Sequence, residues 1–216
     1  MLLDYQPPLH PYLDILYQDD DIVVLNKPSG LLSVPGKAAE HHDSLSARVQ
    51  RVWPLARVVH RLDMATAGLM VMAMHTEAQR ALNRQFSERM VQKRYQATVA
   101  GQLMSAHGSI SIPLICDWPN RPKQKVCFLH GKKALTHFQR LSHSAAERRV
   151  LLFPVTGRSH QLRVHMQWLG HAILGDKFYR AEHDKAAARL LLHAEWIQLI
   201  HPGSDLPVQF TSQCPF

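Results

Sequence analysis

Apolar positions along this chain gather into short runs rather than long blocks. Two runs stand out: "IVVL" within "DIVVLNKPSGLLSVPG" (21–36), and "GLMVMAM" (68–74). The first is β-branched and stops at Lys27-Pro28 and a Ser-Gly turn, which predicts a strand with a sharp end. The second predicts a short buried strand. A period near four takes over in "TEAQRALNRQFSERM" (76–90), where Ala78, Leu82 and Phe86 share one face. That spacing predicts a helix capped by Thr76. Shorter helices are expected in "DSLSARVQRVW" (43–53), capped by Asp43 or Ser44, and in "SHQLRVHMQWLG" (159–170), capped by Ser159 and stopped by Gly170.

"RYQATVAG" (94–101) alternates like a strand, and further strands are expected at 109–115, 134–141, 149–155 and 190–200. Strands outnumber helices and often follow one another directly. The expected class is therefore α+β, a mixed, largely antiparallel central sheet with flanking helices and loops. Pro7-Pro8 and Pro11 mark an extended arm over 1–14, leaving 15–216 as one expected domain.

Composition adds direction. The 216 residues are 46% hydrophobic, enough for a packed core, and no apolar run reaches membrane-spanning length. The N-terminus lacks a basic start followed by an apolar block, and the three cysteines (Cys116, Cys127, Cys214) show no tight spacing. A reducing cytoplasm is the expected home. Lys plus Arg number 25 against 17 Asp plus Glu, a net charge of +8 that suits a polyanion, usually nucleic acid. A merely basic soluble protein is the plainer alternative. "RQFSERMVQKR" (84–94), "RPKQK" (121–125) and "HGKK" (130–133) hold much of the positive charge.

Candidate chemistry follows from four places. "HRLDMATAGL" (60–69) sets Asp63 among apolar residues. Asp63 either pairs with Arg61 for structure, or is held ionised in a dry setting as nucleophile or base. "TGRSHQLRVHM" (156–166) offers a basic helix that binds phosphate, or a buried Arg163 awaiting a carboxylate. Tyr95 is an ordinary strand tyrosine or a plate for a nucleobase. "CDWPNRPKQKVC" (116–127) sets Trp118 among Arg121, Lys123 and Lys125, a rigid basic loop suited to single-stranded RNA or simply a solvated one. Its cysteines are too far apart for a zinc finger. No phosphate loop, dinucleotide fingerprint or metalloprotease motif occurs, so neither cofactor nor metal is expected.

Five boxes, "NKPSGLLSVPG", "HRLDMATAGL", "GRSHQLRVHM", "HAILGDKFY" and "RLLLHA", stand in that order over about residues 26–194. Together they resemble the RluA family of pseudouridine synthases, which isomerise uridine to its carbon-linked isomer in RNA. "CDWPNRPKQKV" resembles the branch acting on both 23S rRNA and tRNA. Ala67 and Ala172 depart from the Ser and Pro that the family uses there. The resemblance implies Asp63 as catalytic carboxylate, Arg163 as its ion-pair partner and Tyr95 as the plate under the target base. Arg61 would enter the RNA helix as the uridine turns out. His60, Trp118, Arg121, Lys123, Lys125 and Arg158 would contact RNA. The expected partners are structured RNAs (rRNA and tRNA stem-loops, the anticodon stem-loop included), bound by a monomer away from membranes. No further RNA-binding domain is expected ahead of the first box near residue 26. A non-catalytic RNA-binding protein is the alternative. A glycosidic hydrolase would need a second carboxylate in an unusual setting, and only Asp63 stands out.

Overall fold

The computed structural model describes residues 5–141, 148–180 and 187–216. In chain order the elements are β1 (Ile15–Gln18), β2 (Ile22–Lys27), α1 (Leu45–Val52), β3 (Arg57–Val58), β4 (Ala67–Ala73), α2 (Thr76–Ser87), β5 (Gln92–Thr98), β6 (His107–Ser111), β7 (Leu114–Cys116), β8 (Gln124–Val126), β9 (Leu135–Arg140), β10 (Arg149–Pro154), α3 (Gln161–Trp168), β11 (Leu192–Ile200) and β12 (Pro207–Thr211). The α+β expectation holds, with antiparallel pairing dominant. No helix among the described residues is long and apolar enough to cross a membrane. The chain divides into two compact units, Met1–Gln92 with Ala194–Cys214, and Lys93–His193 with Pro215–Phe216.

In the first unit β2 pairs antiparallel with β4, from Ile22 opposite Ala73 to Lys27 opposite Gly68. Every residue of β4 is buried, as are Ile22–Leu25 of β2. That is why both read as continuous apolar runs instead of alternating ones. β1 flanks β2, β3 pairs with β4, and β12 pairs with β11. The turn between β1 and β2 is organised by Asp19, whose Oδ1 accepts the amides of Asp21 and Ile22. Its Oδ2 meets Tyr17 Oη and His201 Nε2, each at 2.7 Å.

Of the helix starts in this unit, one follows expectation and one does not. Ser44 does cap α1, accepting the Ala47 amide at 3.2 Å, while Asp43 instead grips the buried Arg48 through two oxygens at 2.8 and 2.7 Å. α2, however, is capped by His75, whose Nδ1 accepts the Ala78 amide at 3.3 Å, so Thr76 is already helical. Its buried face is Ala78, Leu82 and Gln85. Gln85 displaces Phe86 from that stripe because its amide bonds both the N–H and the C=O of Ile200, at 2.8 and 2.7 Å.

In the second unit β10 lies between β5 and β9, and β6 pairs with β9. The 109–115 strand is in fact two, β6 and β7. The 116–127 segment is no open loop: β7 and β8 make a hairpin, with Cys116 opposite Gln124 and a 3-10 turn over Trp118–Asn120. α3 begins at Gln161, not beside a Ser159 cap. Its N-cap is His160 at φ 53°, and Gly170 at φ 86° ends the helix as expected.

Gly68 shows how tightly the first unit is drawn. Its φ is +109°, and a Cβ there would sit 2.3 Å from the Ala194 carbonyl oxygen of β11. Backbone and neighbour both exclude any side chain. Gly68→Ala is expected to lower stability by roughly 2 kcal/mol or more, read as a lower urea midpoint with unchanged slope.

Candidate active site

Asp63 lies half-buried in the irregular stretch between β3 and β4, in a turn closed by Thr66 N–H on the Asp63 carbonyl at 3.1 Å. The segment after β2 holds this turn from both sides. Ser33 Oγ donates to Leu62 O at 2.6 Å and accepts the Leu62 amide at 3.0 Å. Ser29 Oγ donates to Ala65 O at 2.8 Å, and Gly30 N–H to Met64 O at 2.8 Å. The first two sequence boxes are therefore one clasp.

At its centre is Lys27, fully buried. Its ammonium donates to the carbonyls of Leu31, Pro28 and Met64 at 2.7, 2.9 and 3.1 Å, one for each of its three protons. Burial pulls its pKa down to about 7, and the negative charge of Asp63 opposes that fall. Nothing in the sequence reading singled out Lys27 beyond ending a strand. The available signal was a lone lysine closing an apolar strand.

Arg61 is exposed and carries no ion pair among the described residues, so the short Arg61–Asp63 pairing does not form. His60 faces inward. Its Nε2 accepts the Val71 amide of β4 at 2.9 Å, and its ring stacks on Phe86 at 4.8 Å. This bond ties the irregular stretch that carries Arg61 and Asp63 to β4.

In the second unit Arg163 is 3% exposed, on the inward face of α3. One carboxylate it meets is Asp176: Nε to Oδ2 is 2.7 Å and Nη2 to Oδ1 is 2.8 Å, a bidentate pair. Asp176 also accepts the amides of Phe178 and Tyr179, at 2.8 and 3.2 Å. The guanidinium lies 5.3 and 5.1 Å from the Phe178 and Tyr179 ring centres. So Asp63 is not the only carboxylate in an unusual setting. Asp176, 1% exposed, was legible as a lone acid in "HAILGDKFY". Its oxygens are taken up by Arg163 and two amides, which fits a structural anchor and not a second acid for glycoside hydrolysis.

Tyr179 links this pair to the hairpin. Its hydroxyl accepts the Gln124 amide and meets His160 Nδ1, both at 2.7 Å. At the hairpin tip Trp118 is 64% exposed, with the Arg121 guanidinium 4.4 Å from its ring centre. Lys125 is 3.1 Å from Asp117, which lies below the usual carboxylate range because Asn120 and then Lys125 bond it. Arg158 is exposed and donates to Lys133 O at 3.1 Å, Lys123 is half-buried, and Tyr95 is half-buried on β5 opposite Leu152.

A strand-rich α+β chain with a clasped aspartate, a buried arginine and a basic aromatic hairpin has the make-up of a base-modifying RNA enzyme. Comparison with known proteins agrees. The family model described as RNA pseudouridylate synthase matches residues 21–168. The dual-specificity RNA pseudouridine synthase RluA of Escherichia coli (strain K12) is 54% identical over 99% of this chain and 98% of its own. That of Haemophilus influenzae is 49% identical over 100% and 99%. Among solved structures, Human RNA Pseudouridylate Synthase Domain Containing 1 superimposes with a TM-score of 0.79 at 29% identity, covering 98% of this chain and 87% of that one. The chain belongs to the RluA family of RNA pseudouridine synthases. It is accordingly an isomerase that turns uridine into pseudouridine in RNA, and the non-catalytic reading is not favoured.

His165, one turn beyond Gln161 on α3, is fully buried between Thr136 Oγ1 at 3.0 Å and Ile112 O at 3.4 Å. Burial lowers its pKa to about 4. The unfolded chain takes up this proton as pH falls below about 6.5, while the folded one resists until about 4, so stability is lost across that window. Urea midpoints at pH 7, 6 and 5 should fall, and His165→Gln should flatten the decline by about one proton's worth.

Proposed function

We propose that this chain acts on two RNA classes, 23S rRNA and tRNA, converting a uridine in a stem-loop of each, the anticodon stem-loop in tRNA. The observation that carries this is the near full-length likeness to relatives named as dual-specificity enzymes. The "CDWPNRPKQKV" hairpin supports it, presenting Trp118 and Arg121 at an exposed, stiff tip.

In this reading Asp63 is the catalytic carboxylate and Tyr95 the plate on which the target base rests. Arg163 supplies fixed positive charge, aligned by Asp176. Arg61, exposed and without an ion pair among the described residues, fills the place that the uridine leaves. Turning the base out costs a few kcal/mol, offset by stacking and by contacts of Trp118, Arg121, Lys123, Lys125 and Arg158 with the RNA. The bond from ribose to nitrogen breaks, the uracil rotates in place, and a bond to carbon forms. Atoms balance within the substrate, so the chemistry calls for no external reactant. The protein acts as a monomer in the cytoplasm, with His60 supporting Arg61 from behind; one chain per RNA by light scattering checks the stoichiometry.

Asp63→Asn should lower pseudouridine formation by more than about a thousandfold while thermal stability and RNA affinity stay near those of the parent. Normal turnover by that variant would remove Asp63 from the chemistry. Mass mapping of pseudouridine in rRNA and tRNA, with and without the protein, should show one lost site in each class; a loss in one class alone defeats dual specificity.

Replacing Arg121 and Lys123 together by Ala should raise KM for hairpin RNA by about tenfold with little change in kcat. Equal KM and unaltered site choice would exclude the hairpin tip as reader.

A further inference from the structure

A tight turn follows the β7–β8 hairpin, closed by Gly131 N–H on the Cys127 carbonyl at 2.9 Å. Turn tips are usually polar, but this one carries Phe128 and Leu129, 70% and 82% exposed. The C-terminal end of α3 adds Trp168 and Leu169, 55% and 38% exposed. Phe128 and Trp168 meet edge to face with ring centres 6.0 Å apart, so the two segments form one apolar patch. Neither aromatic belongs to the residues assigned above.

Charge identifies the occupant. The stretches 123–141 and 148–175, which carry the patch, contain no Asp or Glu at all. They contain nine Lys and Arg, of which Lys125 and Arg163 are paired with Asp117 and Asp176 while Lys132, Lys133 and Arg158 stand exposed. Lys132 and Lys133 are exposed directly after the turn, and Arg158 reaches the Lys133 carbonyl at 3.1 Å. Exposed rings within a field of one sign are what stacked bases and their phosphates require.

We propose that Phe128 and Trp168 form a second RNA-contacting surface, on which unpaired nucleotides flanking the target stem-loop stack. This rests on the RNA-modifying reading above and extends it: the stem-loop selects the uridine, and this patch adds affinity for the surrounding strand. Lys132, Lys133 and Arg158 hold the phosphates of that strand.

The test uses one hairpin substrate in two forms, minimal and with single-stranded oligouridine extensions at both ends. The parent protein should bind the extended form more tightly, and the Phe128→Ala, Trp168→Ala double variant should lose about tenfold on that form only. Binding and isomerisation of the minimal hairpin should not change. Both side chains are exposed, and an unchanged melting temperature confirms that the fold is intact. 4-Thiouridine placed in the extension should crosslink to the 128–130 turn or to Trp168. Equal affinity of parent and variant for the extended hairpin overturns the proposal. So does loss of self-association in the variant without any change in RNA affinity, which would make the patch a protein contact. Absence of isomerisation by the parent on the minimal hairpin would instead overturn the reading of the previous section.

Discussion

The buried ammonium of Lys27 is the constraint around which the first unit is organised. A cation taken from water must find replacements for its hydration, and three backbone carbonyls supply them. Two of those carbonyls belong to the turn after β2, and the third belongs to Met64, next to Asp63. The strand end and the aspartate turn are therefore tied together by one group that tolerates no half-formed arrangement. Ser29 and Ser33 extend the tie to Ala65 and Leu62. The result is an aspartate whose backbone neighbours on both sides are fixed.

The second unit uses a different device for the same purpose. Arg163 and Asp176 form a bidentate pair, and two amides also bond the carboxylate. Such a pair fixes direction as well as distance, since the planar guanidinium must lie in the carboxylate plane. Tyr179 then passes that order to the hairpin through Gln124. At the exposed tip Arg121 lies over Trp118 and Lys125 meets Asp117.

Most regular elements were legible because their signals are local. The apolar runs of β2 and β4, the Ser44 cap and the Gly170 stop each depend on residues within a few positions. The misplaced details share one cause. His75 took the cap expected of Thr76, and Gln85 took the stripe position expected of Phe86, because of groups far along the chain. Asp21 holds His75 at 3.0 Å, and Ile200 holds Gln85. Short-range pattern carries no information about such partners. The 116–127 segment misled in another way: its prolines and charges suggest a loop, yet its ends pair as strands.

The site shows the same division. By itself the sequence determined which residue types were present and in what order: Asp63 in its apolar frame, Arg163 on a helix, Tyr95 on a strand and a basic segment with an aromatic residue among its charges. Those are chemical identities and short spacings, which a linear reading can hold. Only the tertiary structure decided the partners. It turned His60 inward, left Arg61 exposed, gave Arg163 the carboxylate of Asp176, and made Lys27 the hidden support of Asp63. Hydrogen bonds and ion pairs act over about 3 Å in space whatever their separation in sequence. Met64 stands 37 positions from Lys27, and distances of that kind along a chain become contacts only when it folds.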